Sequence, residues 1–190
     1  HSEWTGLGPI LEEDIALTNI ALDFVGNATA ILTYAAQVEG KERTEDDLAF
    51  MRNEREFRNL LLTEQPNGDF ANTMARQFLF DTYMYFLYEE LKNSKDGTLA
   101  ALATKAHKEI SYHLRHTTEW MYRLGDGTPE SHDRTQNALN SLWMYTPDLF
   151  DMDEVDSMLI KEGIVPDLAL IKIKWEERVK EVITEATLQI

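Results

Sequence analysis

"TLAALATKAHKEISYHLRHTTEWMYRL" (residues 98–124) is the stretch on which the fold turns. Apolar residues return every three to four positions along it, the period of an α-helix with one side turned inward. One stripe reads Leu102, Ala106, Glu109, His113, His116, Trp120. Its ends are apolar and its middle carries a carboxylate and two imidazoles. Helical bundles that bind paired metals place glutamate and histidine on such inward faces. The segment therefore predicts a helix and raises the question of a metal site at once.

The same pattern extends to both sides. A helix is predicted over 11–38, with Leu17, Ala21, Phe24, Ala28, Ile31 and Ala35 as an apolar stripe and Gly40 as its stop. Residues 44–65 are charged, with two short apolar patches, and read as a connection holding one or two short helices. "PNGD" (66–69) is a turn followed by an N-cap, and an aromatic-rich helix should run to about Asn93. "FLFDTYMYFLY" within it reads as core or helix-packing surface rather than a cofactor box. The short loop "NSKDG" favours an antiparallel pairing with the helix over 98–124. Further helices are predicted over 131–145 and 153–161, and a last one from Pro166. Leu168, Ile171, Trp175, Val179, Val182 and Ala186 give the last helix one apolar face. No alternating strand pattern and no fixed repeat is found. The prediction is an all-α protein.

Composition narrows the function. The chain has 190 residues, enough for one domain with a real core. It carries 18 basic and 34 acidic residues, a net charge of 18 − 34 = −16, which opposes binding to nucleic acid or to anionic membranes. The acidic residues Asp148, Asp151, Asp153, Glu154 and Asp156 read as a solvated face. There is no cysteine, so disulfides, thiolate nucleophiles and zinc–thiolate sites are excluded. This is compatible with a reducing cytoplasm, the expected compartment. No apolar run approaches the ~20 residues needed to span a bilayer, and no membrane partner is expected. Gly-x-Ser-x-Gly, phosphate-loop and Gly-x-Gly-x-x-Gly motifs are absent.

Two more helices carry a stripe with a polar middle. In the first it is Ala16, Ile20, Asp23, Asn27, Ala30, Tyr34. In the second it is Phe70, Met74, Gln77, Asp81, Met84, Tyr88. Burying a carboxylate is costly unless it is paired, hydrogen-bonded or metal-bound. Asp23, Asp81 and Glu109 are thus either a buried cluster or boundary positions, with Arg76, Lys105, Lys108 and His113 as candidate partners. A paired-metal bundle needs Glu-x-x-His twice, because i and i+3 aim both ligands one way. The residues three before His107, His113, His116 and His132 are Thr104, Ile110, His113 and Pro129, so that motif is absent. Glu109 and His113 at i, i+4 could chelate a single zinc, but no remaining ligand set accompanies them.

"EEDIALTNIALDFVGNATAILTYAAQ" (12–37), "LLLTEQPNGDFANTMARQF" (60–78), "KEISYHLRHTTEWMYRLGDGT" (108–128) and "LFDMDEVD" with "EGI" (149–156, 162–164) resemble the ferritin-like subunits of bacterial phenylacetyl-CoA epoxidases, in particular the C-type, non-catalytic ones. The resemblance covers nearly the whole chain from Glu3. It implies a single ferritin-like helical domain over 1–190. Family members begin with a further long helix ending near "EWTG" and continue past "ATLQI", so the first bundle helix and the C-terminal tail are expected to be missing here. The resemblance also implies a structural role in phenylacetate catabolism, with no catalytic, metal or cofactor-binding residue in this subunit. The di-iron centre is expected in a homologous catalytic partner, and NADPH at a reductase of the same complex. Asp23 stands where a metal-binding glutamate would be, with Gly26 in the histidine slot. Glu109 keeps a carboxylate, and Tyr112 takes its histidine position. Asp81, or else Gln77, matches the remaining carboxylate. Asp23, Asp81, Glu109, Tyr112 and His113 are therefore expected to form a relict polar cluster. The rival readings are an active di-metal oxidase or oxygenase and a helical scaffold unrelated to oxygenases.

Overall fold

The structure is a computed structural model and describes residues 2–190. Among the described residues there are eight α-helices, four short 3-10 helices and no strand. The chain divides into two compact units, up to Arg58 and from Asn59 onward.

The first unit is built on α1 (Leu11–Glu39) with the short α2 (Glu45–Phe50) and a 3-10 turn at Ser2–Trp4. Asp14 anchors the chain ahead of α1 by accepting the backbone N–H groups of Gly6 (2.7 Å) and Gly8 (3.3 Å). Gly40 closes α1 in the left-handed region at φ 67°, its N–H bonded to the Ala36 carbonyl. Thr44 and Asp47 form a reciprocal capping box that starts α2.

Two expectations for α1 are corrected. Of the predicted apolar stripe, Leu17 is buried but Ala28, Ile31 and Ala35 are not, and the most buried positions include Ile20 and Asn27 from the neighbouring stripe. Both stripes have apolar ends, so periodicity alone leaves the helix free to rotate by one stripe. The bilayer-length expectation also falls. By length and composition α1 could cross a membrane, a test that core helices of bundles also pass.

The second unit centres on α4 (Phe70–Leu91), which packs most extensively on α5 (Gly97–Gly125), then on α6 (Pro129–Leu142) and α8 (Leu168–Glu185). α3 (Leu61–Glu64) precedes α4, and α7 (Glu154–Glu162) lies between α6 and α8 in the chain. Asp69, Asp96, Thr128, Asp153 and Asp167 cap the N-termini of α4 to α8, each accepting a first-turn N–H. α8 therefore begins two residues after Pro166. Asp167 accepts the Ala169 N–H at 2.8 Å and takes the cap, leaving the proline outside the helix. Phe70 meets Trp120 (ring centroids 4.8 Å), Asp81 meets Thr117, and Tyr85 meets His107 (4.8 Å). Numbers rise on one helix as they fall on the other, so α4 and α5 are antiparallel, as their short loop requires.

The core is aromatic. Trp175 of α8 stacks on Trp143 (5.6 Å) and meets Phe150 edge-on (5.4 Å). Its indole N–H donates to the Leu79 carbonyl at 2.9 Å, so the polar atom is satisfied in a fully buried site. Ile171, Val179, Val182 and Ala186 complete the predicted apolar face of α8, and all are buried. At the far end of α5, a side chain on Gly125 would come within 2.3 Å of the Ala186 carbonyl, so only glycine admits the C-terminal segment there.

Candidate functional site

Asp81 lies at the middle of α4 and is fully buried. Gln77, one turn earlier on the same face, donates its amide N–H to Asp81 Oδ1. Thr117 Oγ1, from α5, lies 3.2 Å from Asp81 Oδ2 and 3.0 Å from the carbonyl oxygen of His113. Burial pushes the Asp81 carboxyl well above its ordinary value of 3.8, and the hydrogen bonds from Gln77 and Thr117 offset only part of that. The Thr117 hydroxyl, as donor, has both Asp81 Oδ2 and the His113 carbonyl within reach, so it links the carboxyl on α4 to the backbone of α5.

This corrects the expected partners. Arg76 instead bonds to the Gln65 carbonyl and to Asn67, holding the loop before α4. Neutral donors, not a cation, hold Asp81.

His113 is fully buried beside Thr117. Glu109, one turn back, is partly buried, and its charge acts on the buried Tyr88 of α4. The Tyr88 hydroxyl is raised above its ordinary value, first by burial and then by that carboxylate. Tyr112 is 46% exposed, and its ring lies edge-on to that of His113 at 6.3 Å, 6.4 Å from that of His116 and 5.5 Å from the Arg115 guanidinium carbon. Asp23 is partly buried on α1 of the first unit, whereas Asp81, Glu109 and His113 lie on α4 and α5 of the second.

Sequence reasoning missed Thr117 and the linking part played by Gln77. Both lie one helical turn from a residue already singled out, His113 and Asp81. The i, i+4 rule extended by one step would have reached them.

The donors of this unit do not fit a paired-metal centre. Metal ligation needs a deprotonated carboxylate with free oxygens, whereas burial disfavours the charged form of Asp81 and both its oxygens are engaged by neutral groups. Among the described residues, no three His, Asp or Glu side chains are grouped to hold a metal ion.

An all-α, ferritin-like bundle with a buried carboxyl midway along its central helix pair defines the class, and the family model described as phenylacetic acid catabolic protein matches residues 1–190. The chain belongs to that family. It is 50% identical over 188 residues to the C-type subunit of the 1,2-phenylacetyl-CoA epoxidase of Escherichia coli (strain K12), an alignment that covers 99% of this chain and 75% of that protein. The reading as a helical scaffold unrelated to oxygenases falls with this similarity.

Proposed function

We propose that the chain is a structural, non-catalytic subunit of a multicomponent phenylacetyl-CoA epoxidase in the cytoplasm. It pairs with a homologous ferritin-like subunit that carries the di-iron centre and performs the oxygenation. Electrons reach that partner from an NADPH-dependent reductase. No cofactor is assigned to this chain.

The observation that carries the proposal is the state of Asp81. At the centre of a ferritin-like helix pair, a carboxyl that could ligate metal has its charged form disfavoured by burial, with Gln77 and Thr117 as its partners. A neutral, hydrogen-bonded acid rigidifies the α4–α5 contact and offers no charge to a metal. The absence of any Glu-x-x-His supports the same reading. So does the exposed apolar surface of α1, where Leu22 and Val25 are each 63% exposed. Asp23, Glu109, Tyr112 and His113 belong with Asp81 to the relict polar set in this proposal.

The test is co-expression with the catalytic partner, followed by purification on a tag carried by that partner and by metal analysis. The expected result is a stable heteromeric complex whose iron leaves with the partner when the two chains are separated. About two irons per chain in this protein alone, the load of a working di-metal bundle, would show an active oxygenase instead. Failure of the two chains to copurify removes the structural role.

A further inference from the structure

A groove of about 590 Å³ is lined mainly by α5, with residues of α4 and α8 completing it. It lies wholly in the second unit, and none of Asp81, Glu109 and His113 lines it. Its volume falls in the range of small-molecule sites. Tyr85 and Phe86 of α4, their rings edge to face at 5.2 Å, form an aromatic wall, and Leu114 of α5 adds an apolar one.

Two guanidiniums from different helices reach this groove, Arg115 of α5 and Arg178 of α8. Glu119 is the one acidic lining residue, so the lining charge is 2 − 1 = +1 in a chain of net charge −16. Arg178 donates to Glu181 at 2.6 Å. Arg115 has no carboxylate within ion-pair distance among the described residues, although Glu119 follows it by one turn. With nearly twice as many acidic as basic residues in the chain, an arginine without an acid partner beside an aromatic wall is an open anion-binding group. Thr118, also a lining residue, is 5% exposed, and its hydroxyl has no hydrogen-bond partner among the described residues. A buried hydroxyl left in that state marks a place where a polar ligand atom would be favourable.

We propose that this groove binds a small organic carboxylate with a flat apolar body. The carboxylate pairs with Arg115, and the body lies against Tyr85, Phe86 and Leu114. Asp81 and its partners Gln77 and Thr117, which carry the structural-subunit reading, do not line the groove, so the two readings survive or fail separately.

Benzoate, uncharged benzamide and inorganic phosphate are the probes, titrated into the full chain and followed by amide chemical shifts. Benzoate is expected to shift Arg115, Thr118 and Arg178 saturably. Benzamide and phosphate are each expected to bind about tenfold more weakly, since one lacks the charge and the other the apolar body. Arg115→Gln, on an exposed side chain that the core does not use, is expected to weaken benzoate about tenfold while leaving benzamide unchanged. A loss below about threefold in that variant overturns the assignment. So do shifts that miss the groove, and phosphate binding as tight as benzoate.

Discussion

α1 and α4 are the two most apolar long helices of the chain, and they use that character in opposite ways. α4 buries half of its residues, among them Phe78 and Leu79, and in their midst a fully buried Asp81. α1, which is apolar enough by composition to span a bilayer, leaves Leu11, Leu22, Val25 and Val38 more than half exposed and buries Asn27. Hydropathy predicts that a segment prefers burial, but neighbours decide whether it is met. In α4 three helices surround the axis, so even a carboxyl on the inward face is buried, and burial raises its pKa.

The largest expected effect comes from removing the centre of the buried region. Trp175→Ala is expected to cost about 3–5 kcal/mol, through a large cavity beneath Trp143 and Phe150 and loss of the bond to Leu79. Urea unfolding followed by circular dichroism measures it, and a cost under about 1 kcal/mol would mean that the aromatic centre is loosely packed.

Gly125→Ala is expected to destabilise by about 1–3 kcal/mol, because the new methyl group meets the Ala186 carbonyl and forces the C-terminal segment away. Proteolysis of the last residues should speed up in parallel.

Thr117→Val is expected to cost about 1–3 kcal/mol, since it leaves the Asp81 acid buried without its partner. Asp81→Asn should do the opposite. Its amide can donate to Thr117 Oγ1 and accept from Gln77, as the protonated acid does. The raised folded-state value means that the native chain holds a proton which the unfolded chain loses above about 3.8. Stability from this group therefore falls as pH rises from there toward the raised folded value, and Asp81→Asn removes that slope. Thermal melts of both proteins at pH 5 and pH 8 should show a gain for the variant that is larger at pH 8. Equal gains at the two pH values would mean that Asp81 is ionised when folded.

The smallest effect is expected on α1. Leu22→Gln should change the stability of the isolated chain by no more than about 0.5 kcal/mol, because the side chain already faces water. A cost near that of a core position would erase the contrast between the two helices.

Much of this was legible in the sequence. The bounds of the long helices follow from period and punctuation: Gly40 and Asp69 stand at the ends that they mark. The apolar face of α8 was readable in full, because five of its six positions point at one crowded core. The carboxyl on α4 was readable as anomalous, because burying a charge needs a reason. The identity of its partners was not. Arg76, Lys105, Lys108 and His113 were reasonable on charge, yet Gln77 and Thr117 hold it. Charge complementarity guides a guess only if the group stays charged, and deep burial removes that premise.

By itself, the sequence determined that the chain is all-helical, that it has no thiol chemistry, and that it lacks the Glu-x-x-His pairs of a di-metal bundle. These depend on residue type and on spacing within one helix, which covalent geometry transmits directly. The tertiary structure alone decided which stripe of α1 is buried, that burial disfavours the charge on Asp81, and that Arg115 faces a groove without a carboxylate within ion-pair distance among the described residues. Each of these depends on which groups from other elements surround a side chain, and on how much water they leave it.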